Sequence, residues 1–131
     1  MLKKEVVSGP GGRVILMDSI TKVAPGDEGA IAMSASHGGA SSAEFALEIP
    51  LTAAFFNDAG VGKDNAGIVA LDILQQHDVA AGTVSHTSGR IGDSQDMWDN
   101  GVISHLNPAA RALGLEAGAV LRDALTRLVK G

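Results

Sequence analysis

Residues 51–67 read Leu51-Thr52-Ala53-Ala54-Phe55-Phe56-Asn57-Asp58-Ala59-Gly60-Val61-Gly62-Lys63-Asp64-Asn65-Ala66-Gly67. An apolar run of strand length gives way to two adjacent polar residues, then to a glycine loop over 58–63. Asp64 follows, a residue type that caps helix starts. Beyond it Ile68, Leu71 and Leu74 form an inner stripe, so the spacing predicts a helix from Asp64 to about His77, closed by Asp78. Strand, loop and helix in that order make half of a βαβ unit. Ligands gather at such loops because a helix start offers free backbone N–H groups.

The same alternation extends in both directions. Upstream, residues 1–12 read as an extended lead-in ending in the breaker Gly9-Pro10-Gly11-Gly12. Arg13–Val23 reads as a strand or strand pair bent at Asp18-Ser19, and 24–29 as a turn. Ala30–Ala35 is a short apolar strand ending in Ser36-His37-Gly38-Gly39. Ser41 and Glu44 match a capping box for a helix that Pro50 stops. Downstream, Val79–Val84 is a strand followed by the polar loop 85–93, with one or two helical turns over 93–100. Val102–Leu106 is another strand. Asn107-Pro108 is a helix-start signal, and Ala117–Lys130 is the last helix, with Val120, Leu121, Ala124, Leu125 and Leu128 facing inward and an Asp123–Arg127 pair outward.

The whole 131 residues suit one domain, with 45% hydrophobic residues but only 3% aromatic ones. An aliphatic core of this kind fits a sheet buried on both faces. The expected fold is α/β, a three-layer sandwich with a mainly parallel sheet of four or five strands and helices on both faces. In its layers alone it resembles the flavodoxin-like and Rossmann-like class, which carries no activity with it.

The totals also exclude function classes. A net charge of −5 and few aromatics argue against a nucleic-acid partner. Without cysteine there is no disulfide and no thiolate nucleophile. No apolar run is long enough to span a membrane, and the charged N-terminus lacks the apolar run of a secretory leader. A cytoplasmic protein is the expectation. Glycines crowd the predicted strand ends, and a small sandwich with a sheet edge or helix face to cover suggests a homo-oligomer.

Three Ser-His pairs stand at predicted strand ends: Ser36-His37, Ser85-His86 and Ser104-His105. The remaining strand ends in Asn57-Asp58. If these strands are parallel, all four ends converge on one crevice. His37, His86 and His105 are then candidate acid/base residues, with Asp58 or Asp93 to orient them; Asp93 equally suits capping a turn. Each histidine also has a plain structural use, bonding a backbone group beside it, and His77 reads as a helix-end residue.

For ligand binding the candidates are Gly38 and Gly39, then Gly60, Gly62, Lys63, Asp64 and Asn65 in the central loop. Ser85, Ser88 and Arg90 join them from the 85–93 loop, with Ser104 and Asn107 near the last strand. Lys63 and Arg90 suit a carboxylate or phosphate. Gly60-Val61-Gly62-Lys63 falls short of a P-loop: Asn57 stands where its first glycine belongs and Asp64 where its Ser or Thr belongs. No Gly-x-Ser-x-Gly elbow supports a nucleophilic serine. No organic cofactor is expected. His37, His86, His105 and Asp58 offer ligand types that a divalent metal accepts, without a supporting spacing.

The leading expectation is therefore a small lyase, isomerase or hydrolase acting on a small anionic metabolite at the C-terminal edge of the sheet. The alternative is a non-catalytic ligand-binding or accessory subunit that uses the same crevice.

Overall fold

The computed structural model describes residues 1–131. Six strands form one sheet in chain order: β1 (Lys3–Gly9), β2 (Gly12–Met17), β3 (Ile31–His37), β4 (Ala53–Asn57), β5 (Ala80–Val84) and β6 (Ile103–Leu106). The helices are α1 (Ala40–Ala46), α2 (Val69–Gln75), α3 (Ser94–Asn100), α4 (Pro108–Ala112) and α5 (Leu121–Lys130). One face of the sheet packs Ile15, Ala32, Ala54, Phe56 and Ala81 against α1 and α2. The other packs Val14, Leu16, Ile31, Met33 and Phe55 against α3 and α5. Successive strand residues alternate between these two cores, as pleating requires. No helix is long and apolar enough to cross a membrane.

The mainly parallel, flavodoxin-like or Rossmann-like sandwich expected from the sequence is corrected here to a mixed sheet. β2 to β5 are parallel neighbours, but β1–β2 and β5–β6 are antiparallel pairs, and there are six strands rather than four or five. Two physical features account for this. Gly9-Pro10-Gly11-Gly12 breaks the chain only to fold it back: Gly9 pairs with Gly12, so the lead-in becomes an edge strand. Its charged Lys3, Lys4 and Glu5 stay exposed, which blunts the edge.

The second feature is the route from β5 to β6. Gly92 N–H donates to Ala35 O (2.9 Å) and Ser94 N–H to Asp18 Oδ1 (3.0 Å), both beside the ends of β2 and β3. Ser85 N–H donates to Val102 O at 3.0 Å. The connection thus starts and finishes at one sheet edge, with α3 laid across it, and β6 must run back down.

Helix starts also shift. α1 begins after Gly39, and no Ser41–Glu44 box forms. Asp64 does not cap α2: it lies in a short 3₁₀ turn, Lys63–Asn65, with φ 56°, and the helix starts only at Val69. The last helix starts at Leu121, leaving Val120 exposed rather than facing inward. Trp98 is buried in the domain's own core, with the Arg122 guanidinium 5.9 Å from its ring centre.

Candidate functional site

Asp58 follows the last residue of β4 and is 4% exposed. Its Oδ1 accepts the N–H groups of Gly60 (2.8 Å) and His86 (3.0 Å). Burial alone pushes this carboxyl up. The Gly60 N–H, the Ser104 hydroxyl, the His86 N–H and the charge of the His86 ring outweigh burial and hold it below the usual carboxylate range. Asp58 is therefore ionised at neutral pH.

Two imidazoles face this carboxylate. His86 Nδ1 lies 3.3 Å from Oδ1, and His105 Nδ1 lies 3.9 Å from Oδ2. The His86 side chain is 53% exposed, and its ring covers Gly60, where an added Cβ would stand 3.4 Å from the ring. An ionised carboxylate only accepts, so a neutral His86 ring can donate to it only in the tautomer with the proton on Nδ1. In that tautomer the lone pair of His86 is on Nε2.

His105 reaches the group through a bulge. Thr83 pairs with His105 and Val84 with Ile103, so Ser104 is an extra residue. Bulging lets two adjacent side chains meet one neighbour, against the plain alternation of a strand. Ser104 Oγ lies 2.9 Å and His105 Nδ1 3.2 Å from Thr83 Oγ1, and Ser104 Oγ is 3.2 Å from His105 Nδ1. Ser104 and Asp58 thus address the same nitrogen of His105. A nucleophilic triad needs them on opposite nitrogens, so this cluster does not assemble one.

The loop after Asp58 is held in unusual backbone. Ala59, Val61, Asp64 and Asn65 all have positive φ, Val61 at 69°. A β-branched residue there is a true outlier, costing on the order of 1–3 kcal/mol. The conformation is fixed by Val61 N–H donating to Asp58 O and Gly67 N–H to Val61 O, both 2.7 Å. A Cβ on Gly67 would lie 1.9 Å from Asp58 O, so the loop closes on itself only because that residue is glycine. The strained residues thus stand directly beside a buried carboxylate.

His86, Arg90 and Ala59 line a depression of about 510 Å³. Arg90 donates its backbone N–H to Asp96 Oδ2 (2.8 Å), while its exposed guanidinium makes no ion pair. Asp96 Oδ1 accepts from Asn100 Nδ2 (2.9 Å) within α3, so one oxygen serves the loop and the other the helix. A depression of about 450 Å³ between Leu115 and Leu128 holds none of the candidate residues.

No known family, curated protein or solved structure matches this chain.

Of the residues read from the sequence, Asp58, His86, His105, Ser104 and Gly60 come together. Arg90 stands at the rim, Gly62, Lys63, Asp64 and Asn65 are exposed on the loop after Asp58, and Asn65 lines a separate depression with His105 and Asn107. His37 lies apart, over β3, with its ring against Gly39. Gly38 serves the backbone, its N–H shared between Asn57 O and Gly67 O at 3.1 Å each. Ser85 and Ser88 bond each other at 2.6 Å within their loop. Asp93 caps α3, accepting from Asp96 N–H at 3.0 Å, and does not orient His86.

Asn107 is at the opposite edge, because β6 runs antiparallel. Its side chain is a buried tie, accepting from Ala81 and Ala110 and donating to Leu71 O and Val79 O. No group of three or more His, Asp or Glu side chains is placed to hold a metal ion.

Thr83 and Gly67 were missed. A lone hydroxyl in the apolar run Ala80–Val84 was the available signal for Thr83. Nothing in the sequence separates Gly67 from the other glycines.

Proposed function

We propose that Asp58 and His86 form the acid/base centre of a small α/β enzyme acting on a small anionic metabolite. One observation carries this reading: an ionised, buried Asp58 lies 3.3 Å from Nδ1 of a half-exposed histidine. A carboxylate in that position fixes the ring and steadies the imidazolium that forms when Nε2 takes a proton. His86 takes or returns the proton at Nε2. Arg90 supplies positive charge for a carboxylate or phosphate, and Lys63 is exposed on the loop after Asp58. His105, tied to Thr83 and Ser104, supports Asp58 from its other oxygen. Proton-transfer chemistry of the isomerase, lyase or hydrolase kind fits this set. Every residue comes from one chain, so the reading stands with or without the homo-oligomer that the sequence suggests.

The test is incubation of the protein in D₂O with a panel of small carboxylates and phosphates, followed by ¹H NMR. Turnover or deuterium uptake by one of them, lost in His86→Ala with ligand binding retained, supports catalysis. Ligands that bind but are never altered, with binding indifferent to His86→Ala, refute it and favour a binding subunit.

A further inference from the structure

A second depression, of about 410 Å³, lies over the ends of β2 and β3. Ile91 lines it and also lines the His86–Arg90 depression, so the two are halves of one groove along the C-terminal edge. Ile91 is 49% exposed and stands as a low apolar ridge between them. The ridge is fixed in height, because the next residue, Gly92, donates its N–H to Ala35 O.

The two halves differ in chemistry. The first holds the Arg90 guanidinium, the His86 ring and the Asp96 carboxylate, whose two oxygens already accept from Arg90 N–H and Asn100 Nδ2. The second is lined by hydroxyls, among them Thr21, Ser36 and Ser41, with Phe45 as an apolar wall and His37 at its rim. Its one carboxylate is already used: Asp18 accepts from Leu2 N–H (2.8 Å), Ser94 N–H (3.0 Å) and Ser94 Oγ (2.7 Å). Ser36 Oγ accepts from Ile20 N–H, which leaves its own O–H to donate. Ser41 is exposed and makes no side-chain hydrogen bond within the protein. Hydroxyls around an apolar wall, with no free carboxylate, suit the hydroxylated carbon chain of a ligand rather than a second charge.

We infer that the groove takes an elongated ligand, an anionic group at Arg90 and His86 joined to a polyhydroxylated chain that crosses Ile91 into the Ser36–Ser41 half. The ligand class is a sugar phosphate or sugar acid. This inference rests on the proposed function for its anionic end, and adds His37, Ser36 and Ser41 as contacts for the rest.

The experiment is isothermal titration calorimetry on the full chain with inorganic phosphate, glycerol 3-phosphate, glucose 6-phosphate and gluconate. Ser41→Trp fills the hydroxyl half from α1, and Thr21→Trp fills it from the opposite wall; both positions are exposed, so both variants keep the fold. Binding by the wild type tightens from the bare anion to the six-carbon ligands. Each filled variant weakens the six-carbon ligands about tenfold and leaves inorganic phosphate unchanged. Preference for glucose 6-phosphate over gluconate, or the reverse, identifies the anionic group, and either supports the inference. Equal affinity for all probes, unaffected by both fillings but lost in Arg90→Ala, overturns the inference and leaves the proposed function intact. Binding of none of the four, or binding indifferent to Arg90→Ala, overturns both.

Discussion

Replacing Asp58 with Asn removes one charge and almost no volume. The amide oxygen still accepts from Gly60 and His86, but as a neutral group. Hydrogen bonds to a charged acceptor contribute about 1.5–3 kcal/mol against about 0.5–1.5 for a neutral one, so two such bonds lose roughly 2 kcal/mol together. Relief of burying a charge offsets part of this, leaving a net loss of about 1–2 kcal/mol at pH 7. The carboxyl is held below its usual range in the folded protein. Its contribution is therefore complete above the unfolded value near ~3.9 and disappears as pH falls through the folded value. Urea unfolding of both proteins at pH 7, 5 and 3 reads this directly. With a slope of ~2 kcal/mol/M, the midpoint of Asp58→Asn falls by about 0.5–1 M at pH 7. The gap persists at pH 5 and narrows by pH 3. A variant as stable as wild type at pH 7, or a gap unchanged from pH 7 to pH 3, refutes the reasoning.

Other substitutions separate the site from the scaffold. Gly67→Ala forces a methyl onto Asp58 O and costs about 2–3 kcal/mol in chemical denaturation, while Gly26→Ala, which meets nothing within 4 Å, stays within about 0.5 kcal/mol. Asn107→Ala leaves buried partners at Ala81, Leu71 and Val79 unpaired and costs about 3 kcal/mol by the same measurement, yet leaves ligand affinity at the opposite edge unchanged. His86→Ala changes stability by less than about 1 kcal/mol in thermal unfolding, since the ring is half exposed, while abolishing any turnover found.

The central stretch was legible because three local signals coincide in it: an apolar run of strand length, a polar pair and a glycine loop. Asn57 and Asp58 emerge where those signals put them, at a strand end, and His86 likewise follows β5. Strand direction was not legible. Gly9–Gly12 reads equally as a breaker and as a hairpin, and only the pairing of Lys3–Gly9 with β2 decides between them. Likewise, Ser94 and Gly92 pin α3 across the strand ends, a long-range tie that no local pattern records. Asn107 lies at the opposite edge for the same reason: its cap signal is local, whereas the direction of β6 is not. Asp64 shows a different limit. Its side chain suits a cap, but the loop holds it at φ 56°, and a propensity cannot report such strain. The bulge at Ser104 brought two neighbours to Thr83 where alternation says only one can reach.

The account rests on Asp58 holding the proton of His86 on Nδ1, so that Nε2 presents a lone pair to the depression. Long-range ¹H–¹⁵N correlation of the His86 imidazole in its neutral form measures this without any substrate. The account predicts the proton on Nδ1 in the wild type and its shift toward Nε2 in Asp58→Ala, which removes the acceptor facing Nδ1. A proton on Nε2 in the wild type, unchanged by Asp58→Ala, contradicts it.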